Sequence, residues 1–358
     1  MKTEQPVLVI LSPGFPANEA DTTCLTSQQN LVQSINKIAP SLKIILVSFQ
    51  YPFVASTYQW YGNTVISLNG QNKGKLSRLL LWRKAWLQLK KINRENKVAG
   101  LLSFWCGECA LIGKYFGAQY HLPHYCWILG QDAKAQNNYV KYIKPPAEQL
   151  IALSDFLQDE FFRNHNIMPK QVIPNGIEPT AFPGGSFHKT IHVFGVGSLI
   201  PLKRYDLFIE LVHRLRQTMP NIKAVICGKG PEEEYLRSLV VKFSLQDNLT
   251  LAGELSHPEI LQMMQESKVL MHPSSYEGFS TVCLEALYAG AHVVSFCNPM
   301  KTKIDNWHIV TTLDDMQQKI TSLLKNDSVE HRRITPFSMD DTARAILHLF
   351  GNKPSIID

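Results

Sequence analysis

The stretch SSYEGFSTVCLEALYAG (274–290) sets two carboxylates, Glu277 and Glu285, eight residues apart around a glycine and hydroxyl-bearing residues. A strand ending near His272 and Pro273, a turn at Glu277-Gly278 and a helix beginning at Ser280 or Thr281, either of which can cap it, fit the local pattern. The amides of Gly278, Phe279, Ser280 and Thr281 then stand at the positive end of that helix, which suits a phosphate or the hydroxyls beside it. Carboxylates accept from paired hydroxyls such as those of a ribose or a hexose. Together these groups describe a site for a sugar joined to phosphate, against the plainer alternative of two solvated glutamates. Phosphate also calls for a cation. The segment FGVGSLIPLKRYDLFIEL (194–211) puts Lys203 and Arg204 just before a helix, with Lys203 the candidate for neutralising a diphosphate and Arg204 its surface-lying substitute. Gly228 and Gly230 in CGKG permit a close chain turn near a nucleotide, or only a tight turn from strand to helix.

A second constellation, Cys106-Gly-Glu-Cys109, has the spacing of a thiol–disulfide pair. It lies a hundred residues into a long domain, and neither another such pair nor a Cys/His set at metal spacing accompanies it. Redox and zinc chemistry are therefore both disfavoured. Glu108 and its neighbours Trp105 and Gly107 could instead touch an acceptor, although stabilisation of the first helical turn explains Glu108 equally well. His192 and His272 fall in strands and read as structural, and His121, His124, His257 and His308 have no companion at ligand spacing.

The elements that must position these groups alternate. Apolar runs at 7–12, 43–49, 64–69, 99–105, 124–130, 150–154 and 170–176 read as strands, separated by helices at 26–38, 76–92 and from 108. The alternation starts again at 190–200, with a helix at 205–219 and strands at 223–230, 248–253, 268–274, 291–296 and 309–312. Two successive α/β sets imply two doubly wound domains, joined through the Pro- and Gly-rich VIPNGIEPTAFPGG (172–185). Ligands of such sheets bind at the C-terminal ends of the strands, which points to the cleft between the two domains.

The chain has 358 residues, 45% of them apolar and 18% charged, enough for two cores. Residues 1–180 hold 18 Lys and Arg against 11 Asp and Glu, a net of +7, whereas the remainder carries −1. The positive half suits an anionic partner or simply a basic surface. Seven cysteines, a short first apolar run and no apolar stretch of 18 residues point to a reduced, cytoplasmic protein. Between 73 and 97, nine Lys and Arg stand against one acid, interleaved with Leu76, Leu79, Leu80, Trp86 and Leu87. Such a helix could lie on anionic lipid at the inner face of a membrane. The preferred expectation is a helix packed on its domain by its leucines, with the cations in solvent. Neither a nucleic-acid recognition module nor an aromatic ladder is present, so nucleic acid is not expected as a partner.

The order of these motifs resembles the retaining glycosyltransferases of the GT-B fold in family 4 (the glycosyl transferases group 1). Glu277 to Glu285 is similar to that family's Glu-x7-Glu element. SPGFP (12–16), VIPNGIE (172–178), GVGSLIPLKR (195–204) and most of 249–280 match its other landmarks. TPFSMDDTARAILHLF (335–350) resembles its closing helix. The resemblance implies two Rossmann-like domains facing each other across a cleft: 1–175 binding an acceptor, 176–334 binding a nucleotide-sugar, and 335–358 crossing back to the first domain. It implies that Glu285 grips the ribose, Lys203 the diphosphate and Glu277 the transferred sugar. The amides of Phe279 and Ser280 line the pocket, and Gly14 lets the N-terminal loop approach the donor phosphate.

Three positions depart from the family. Ser198 stands where a second phosphate cation, arginine, is usual. Gly14 is single where two glycines are common. Leu129 occupies the place of the active-site histidine, leaving Asp132 as a polar candidate or merely a turn aspartate.

The implied reaction is transfer of a sugar from a nucleoside diphosphate to a glycan or lipid-linked acceptor, in polysaccharide biosynthesis, with retention and by front-face attack. No Asp-x-Asp pair is present to bind a metal, so neither metal nor cofactor is expected and the protein's own cation stabilises the leaving phosphate. A nucleotide-sugar epimerase, a phosphorylase without its cofactor lysine motif, and an inactive nucleotide- or glycan-binding protein are the alternatives on the same frame.

Overall fold

The computed structural model describes residues 3–22, 24–185 and 187–351. The chain divides into two compact units, one reaching to Gly176 and completed by the stretch from Phe337, the other spanning Ile177–Pro336. Positions 352–358 of the expected closing segment lie outside the described residues.

The first unit runs β1 (Thr3–Gly14), α1 (Thr26–Ile38), β2 (Lys43–Tyr51), β3 (Ser56–Trp60), β4 (Asn63–Ser67), α2 (Lys75–Glu95), β5 (Asn96–Phe104), α3 (Glu108–Tyr120), β6 (His124–Ile128), α4 (Tyr139–Ile143), β7 (Leu150–Ala152), α5 (Asp155–His165) and β8 (Gln171–Val172). Its eight strands lie in the order β3-β4-β2-β1-β5-β6-β7-β8, parallel except for β3 against β4. The strand β3 was not expected. Its polar STYQW sequence hides it, and the hairpin depends on Tyr61-Gly62, whose φ values of 42° and 77° form a two-residue turn of the kind that matches strand twist. Alternate residues Val7, Val9 and Leu11 of β1 and Ile45 and Val47 of β2 face a core built with Leu81, Ala85 and Leu89 of α2 and Cys109, Ile112 and Phe116 of α3.

The second unit runs β9 (Ile191–Val196), α6 (Tyr205–Arg216), β10 (Ala224–Cys227), α7 (Glu233–Lys242), β11 (Leu249–Gly253), α8 (His257–Gln265), β12 (Ser267–His272), α9 (Thr281–Tyr288), β13 (His292–Ser295), β14 (Trp307–Ile309) and α10 (Leu313–Lys325). Its six strands are all parallel, in the order β11-β10-β9-β12-β13-β14. The chain starts in the middle, winds outward to β11, then returns beside β9 as β12. That reversal is the topological switch point at which doubly wound sheets take their ligands. Two expected boundaries move. The helix expected over 205–219 ends at Arg216, and the strand expected over 309–312 is Trp307–Ile309. Thr312 leaves the sheet because it caps α10, its Oγ1 accepting from the Asp315 amide at 3.1 Å.

Finally, α11 (Met339–Leu349) packs on α1 within the first unit, as the closing-helix resemblance implies. Asp340 anchors it, accepting from Ser34 Oγ at 2.5 Å and pairing with Lys37 Nζ at 2.7 Å. Thr342 Oγ1 donates to the Pro174 carbonyl at 2.8 Å, and Tyr125 donates to the Leu349 carbonyl at 2.9 Å.

Candidate functional site

Lys203 follows β9 and Glu277 follows β12, and these two strands are neighbours across the switch point of the second unit. Residues 74 positions apart are therefore brought together: Lys203 Nζ lies 2.6 Å from Glu277 Oε2. A helical turn at Pro201–Lys203, begun by proline, presents the lysine, and Arg204 in the left-handed region (φ 54°) redirects the chain into α6. His272, the last residue of β12, is buried beneath the pair with Nε2 3.4 Å from Glu277 Oε2. Burial pushes the Glu277 pKa up, but the interaction with His272 and the Lys203 charge outweigh it and hold the carboxyl at about 2. Glu277 is thus an anion throughout the physiological range. Its contribution to stability is present above its ordinary value and is lost as the pH falls toward 2. His272 moves the other way, burial keeping its imidazole neutral.

Glu285 lies on α9, in the interior of the unit, and has a partner of its own. His257, the first residue of α8, brings Nε2 to 2.8 Å from Glu285 Oε1. The two carboxylates of the Glu-x7-Glu element are therefore each placed against a histidine, His272 and His257. The lack of a companion expected for His257 and the structural role expected for His272 are both corrected on that point. His257 lies 28 residues from its partner, and no local signal announces the contact. His272 was within reach of sequence reasoning, because the last residue of a parallel strand faces the ligand end of the sheet.

Between the carboxylates, Phe279 is buried and stacks on Trp307 of β14, ring centres 5.9 Å apart and planes 9° from parallel. Gly278 carries the turn and Thr281 opens α9. Ser280 occupies the cap position, although its side chain makes no capping bond, contrary to expectation.

The other expected residues divide. Arg204 turns to its own helix, Nε 3.3 Å from Asp206 Oδ1, and Ser198 is an exposed hydroxyl. Neither restores the missing cation. Gly228 and Gly230 serve the backbone. The loops after β9 and β10 interlock, with Gly197 N donating to Cys227 O and Leu199 N to Lys229 O, each at 3.0 Å. A Cβ at Gly228 would strike the Gly197 carbonyl, and one at Gly230 the Leu199 carbonyl. Of the two readings of these glycines, the tight turn is the one the geometry carries.

In the first unit, Asp132 Oδ2 accepts from the Cys106 amide at 2.8 Å, and Oδ1 from those of Gly130 and Leu129 at 2.8 and 3.2 Å. Asp132 ties the loops after β5 and β6 together, which is its turn-residue reading, and burial pushes its pKa up to about 6 in spite of those bonds. The same loops line a cavity of about 440 Å³ with Trp105, Gln131 and Asn137. Glu108 accepts from Gln50 Nε2 and from Trp82 Nε1, the latter at 3.0 Å, so it braces the fold as well as opening α3. Gly14 ends β1 opposite Tyr51, and a Cβ there would meet only ordinary contact, 3.6 Å from Tyr51 Cβ. All seven cysteines are free, with Cys106 and Cys109 buried, and burial drives the Cys109 thiol pKa well above its ordinary value, the opposite of what a redox pair requires. Among the described residues no group of three or more His, Cys, Asp or Glu side chains is placed to hold a metal.

Residues 177–335 match the family described as glycosyl transferases group 1. The gpi3 subunit of phosphatidylinositol N-acetylglucosaminyltransferase from Schizosaccharomyces pombe is 26% identical over 203 residues, 55% of this chain and 44% of that protein. Its human counterpart in the same transferase is 30% identical over 126 residues, 35% of this chain and 26% of that protein. The chain thus spans less than half the length of these curated relatives. Among solved structures, TarM is 12% identical with a TM-score of 0.71, covering 98% of this chain and 99% of its own. HepE from Anabaena, in complex with UDP and glucose, is 15% identical with a TM-score of 0.65, covering 99% and 96%. With the family match filling the second unit and the fold match running the length of the chain, this is a GT-B-fold protein related to the glycosyl transferases group 1.

Proposed function

We propose that the chain is a glycosyltransferase that moves a sugar from a nucleoside-diphosphate donor to a glycan or lipid-linked acceptor, with retention of configuration and without a resident metal. The observation that carries this is the meeting of Lys203 and Glu277 at the switch point of the second unit, inside the segment that matches the family. Lys203 takes the departing diphosphate, Glu277 the hydroxyls of the sugar and Glu285 those of the ribose. A preorganised cation where negative charge develops is the largest single aid such a reaction can receive. With Glu277 and Glu285 committed to hydroxyls, the leaving phosphate itself takes the acceptor proton in a front-face attack. The first unit, with its cavity beside Trp105, receives the acceptor. UDP and glucose in the HepE complex, and the lipid named in the S. pombe relative, support this choice of donor and acceptor class.

A thermal-shift screen over uridine, guanosine and adenosine diphosphate sugars should single out one donor. Product analysis with that donor should show transfer only when acceptor is added. Conversion of the donor with no acceptor would indicate the epimerase, and binding with no turnover on any acceptor the inactive binding protein.

A membrane partner is supported by α2. The expectation that its leucines pack on the domain is corrected: Leu81, Ala85, Leu89 and Ile92 form the buried face. Leu76, Leu79, Leu80 and Leu87 are 80%, 57%, 60% and 52% exposed. At helical spacing these four share the opposite stripe with Arg83, Lys90, Lys91 and Arg94. Exposed leucines among cations suit the surface of an anionic bilayer, where each deeply buried leucine contributes about 1.5–3 kcal/mol and each nearby cation about 1 kcal/mol. Among the described residues no helix is long and apolar enough to cross a membrane, so the contact is peripheral. The protein should sediment with phosphatidylserine vesicles but weakly with phosphatidylcholine ones. Serine at 76, 80 and 87 together should lower the bound fraction roughly ten-fold or more. Equal binding by that variant would remove the α2 face from the assignment.

A further inference from the structure

We propose that His257 is a positioning residue that holds the Glu285 carboxylate in the orientation that receives the ribose hydroxyls of the donor nucleotide. This rests on the reading of Glu285 given above and extends it to a residue on a different helix.

The imidazole is built into place. Ser256 caps α8, its backbone amide donating to Glu259 Oε2 at 2.8 Å in a reciprocal capping box, and Pro258 stiffens the first turn. His257 therefore leaves the helix start in a set direction and reaches across to α9, where its Nε2 lies 2.8 Å from Glu285 Oε1. Glu285 is itself buried, and a buried carboxylate is tolerated only where donors satisfy it. An ionised carboxylate only accepts, so Nε2 carries the proton and donates to Oε1. The bond raises the imidazole pKa against the opposite pull of burial, which agrees with a donor facing an anion. With Oε1 engaged, the carboxylate cannot rotate freely and Oε2 is turned to a fixed direction for a ligand. Without His257, Glu285 would either rotate or take up a proton, and both states are poor acceptors for a diol.

The test is calorimetric titration of the full chain with UDP, GDP and ADP, following the nucleotide that binds the wild type most tightly. Four variants are compared: Glu285→Ala, His257→Leu, His257→Gln and His257→Asn. The glutamine amide reaches about as far as Nε2 and keeps a donor, whereas the asparagine amide falls short. Glu285→Ala, His257→Leu and His257→Asn should each weaken nucleotide binding roughly ten-fold, the size of one lost bond to a charged group. His257→Gln should restore affinity to within about three-fold of the wild type. Melting temperatures taken alongside separate positioning from folding, since a merely structural role would not make affinity follow the donor. His257→Asn carries the comparison should the leucine variant fail to fold.

Weakened binding by Glu285→Ala together with wild-type affinity in His257→Leu and His257→Asn would overturn the proposal. So would a well-folded His257→Gln that binds no better than they do. Wild-type affinity in Glu285→Ala, or no binding of any nucleotide to the wild type, would instead sink the ribose assignment on which the proposal stands.

Discussion

Lys203→Ala is expected to lower kcat at saturating donor by about 10²–10³, the usual consequence of removing one preorganised charge from a developing anion. The size follows from how little else can replace it. The neighbouring position that in the family carries arginine is Ser198, and Arg204 is turned aside to Asp206. The charge at the end of β9 therefore rests on Lys203. The substitution also acts through Glu277. Lys203 and His272 together hold that carboxyl at about 2, and with the lysine gone, burial pushes its pKa upward. The acid limb of the activity profile should consequently move to higher pH in the variant, and Lys203→Arg should recover part of the rate because it keeps the charge but changes its geometry. Steady-state kinetics across pH on the purified protein decides this. Wild-type turnover by Lys203→Ala at saturating donor would remove the phosphate assignment.

Gly228→Ala is expected to destabilise the second unit by about 3–5 kcal/mol, among the largest effects available to a single methyl group. Gly228 has φ 144°, a conformation that L side chains rarely adopt, and its Cβ would run into the carbonyl of Gly197. The backbone cannot readily yield. Gly197 N is held by Cys227 O at 3.0 Å, and Gly228 N donates to Gly253 O at 2.7 Å, so three strand ends move together or not at all. Because Lys203 follows the loop that Gly228 underlies, the variant should lose donor binding along with stability. Gly14→Ala provides the contrast: with only ordinary contact around its Cβ, it should change stability by no more than about 0.5 kcal/mol. Urea unfolding of both variants measures the difference. Equal midpoints would mean that the interlocked loops are not the constraint proposed here.

Much of the architecture was legible in the chain. Parallel strands buried on both faces read as short apolar runs, such as VLVIL in β1 and AVIC in β10, and the intervening helices carry a longer period. Strand ends were less legible. Thr312 has strong β propensity, yet its hydroxyl is worth more as the cap of α10 than as a rung of β14. The hairpin of β3 and β4 was missed because STYQW is polar and exposed, and only the backbone of Tyr61 and Gly62 makes the turn. On α2, leucines lie on both sides of the helix. Hydrophobicity alone therefore could not say that Leu81, Ala85 and Leu89 face the core while Leu76, Leu80 and Leu87 face out.

For the site, the amino-acid sequence by itself determined which groups were available: two carboxylates around a glycine turn, a lysine after a glycine loop, and no histidine at 129. Those are local facts, set by residue type and by spacing along a strand and the helix after it. The tertiary structure decided their partners. Strand order laid β9 beside β12 and so joined Lys203 to Glu277, and helix packing brought His257 to Glu285 across 28 residues. It also withdrew Arg204, Asp132 and Gly228 from the groups aimed at a ligand, giving them to an ion pair, a loop tie and a backbone contact. Pairings of that kind depend on which strand ends become neighbours, a property of the whole sheet that no window of sequence contains.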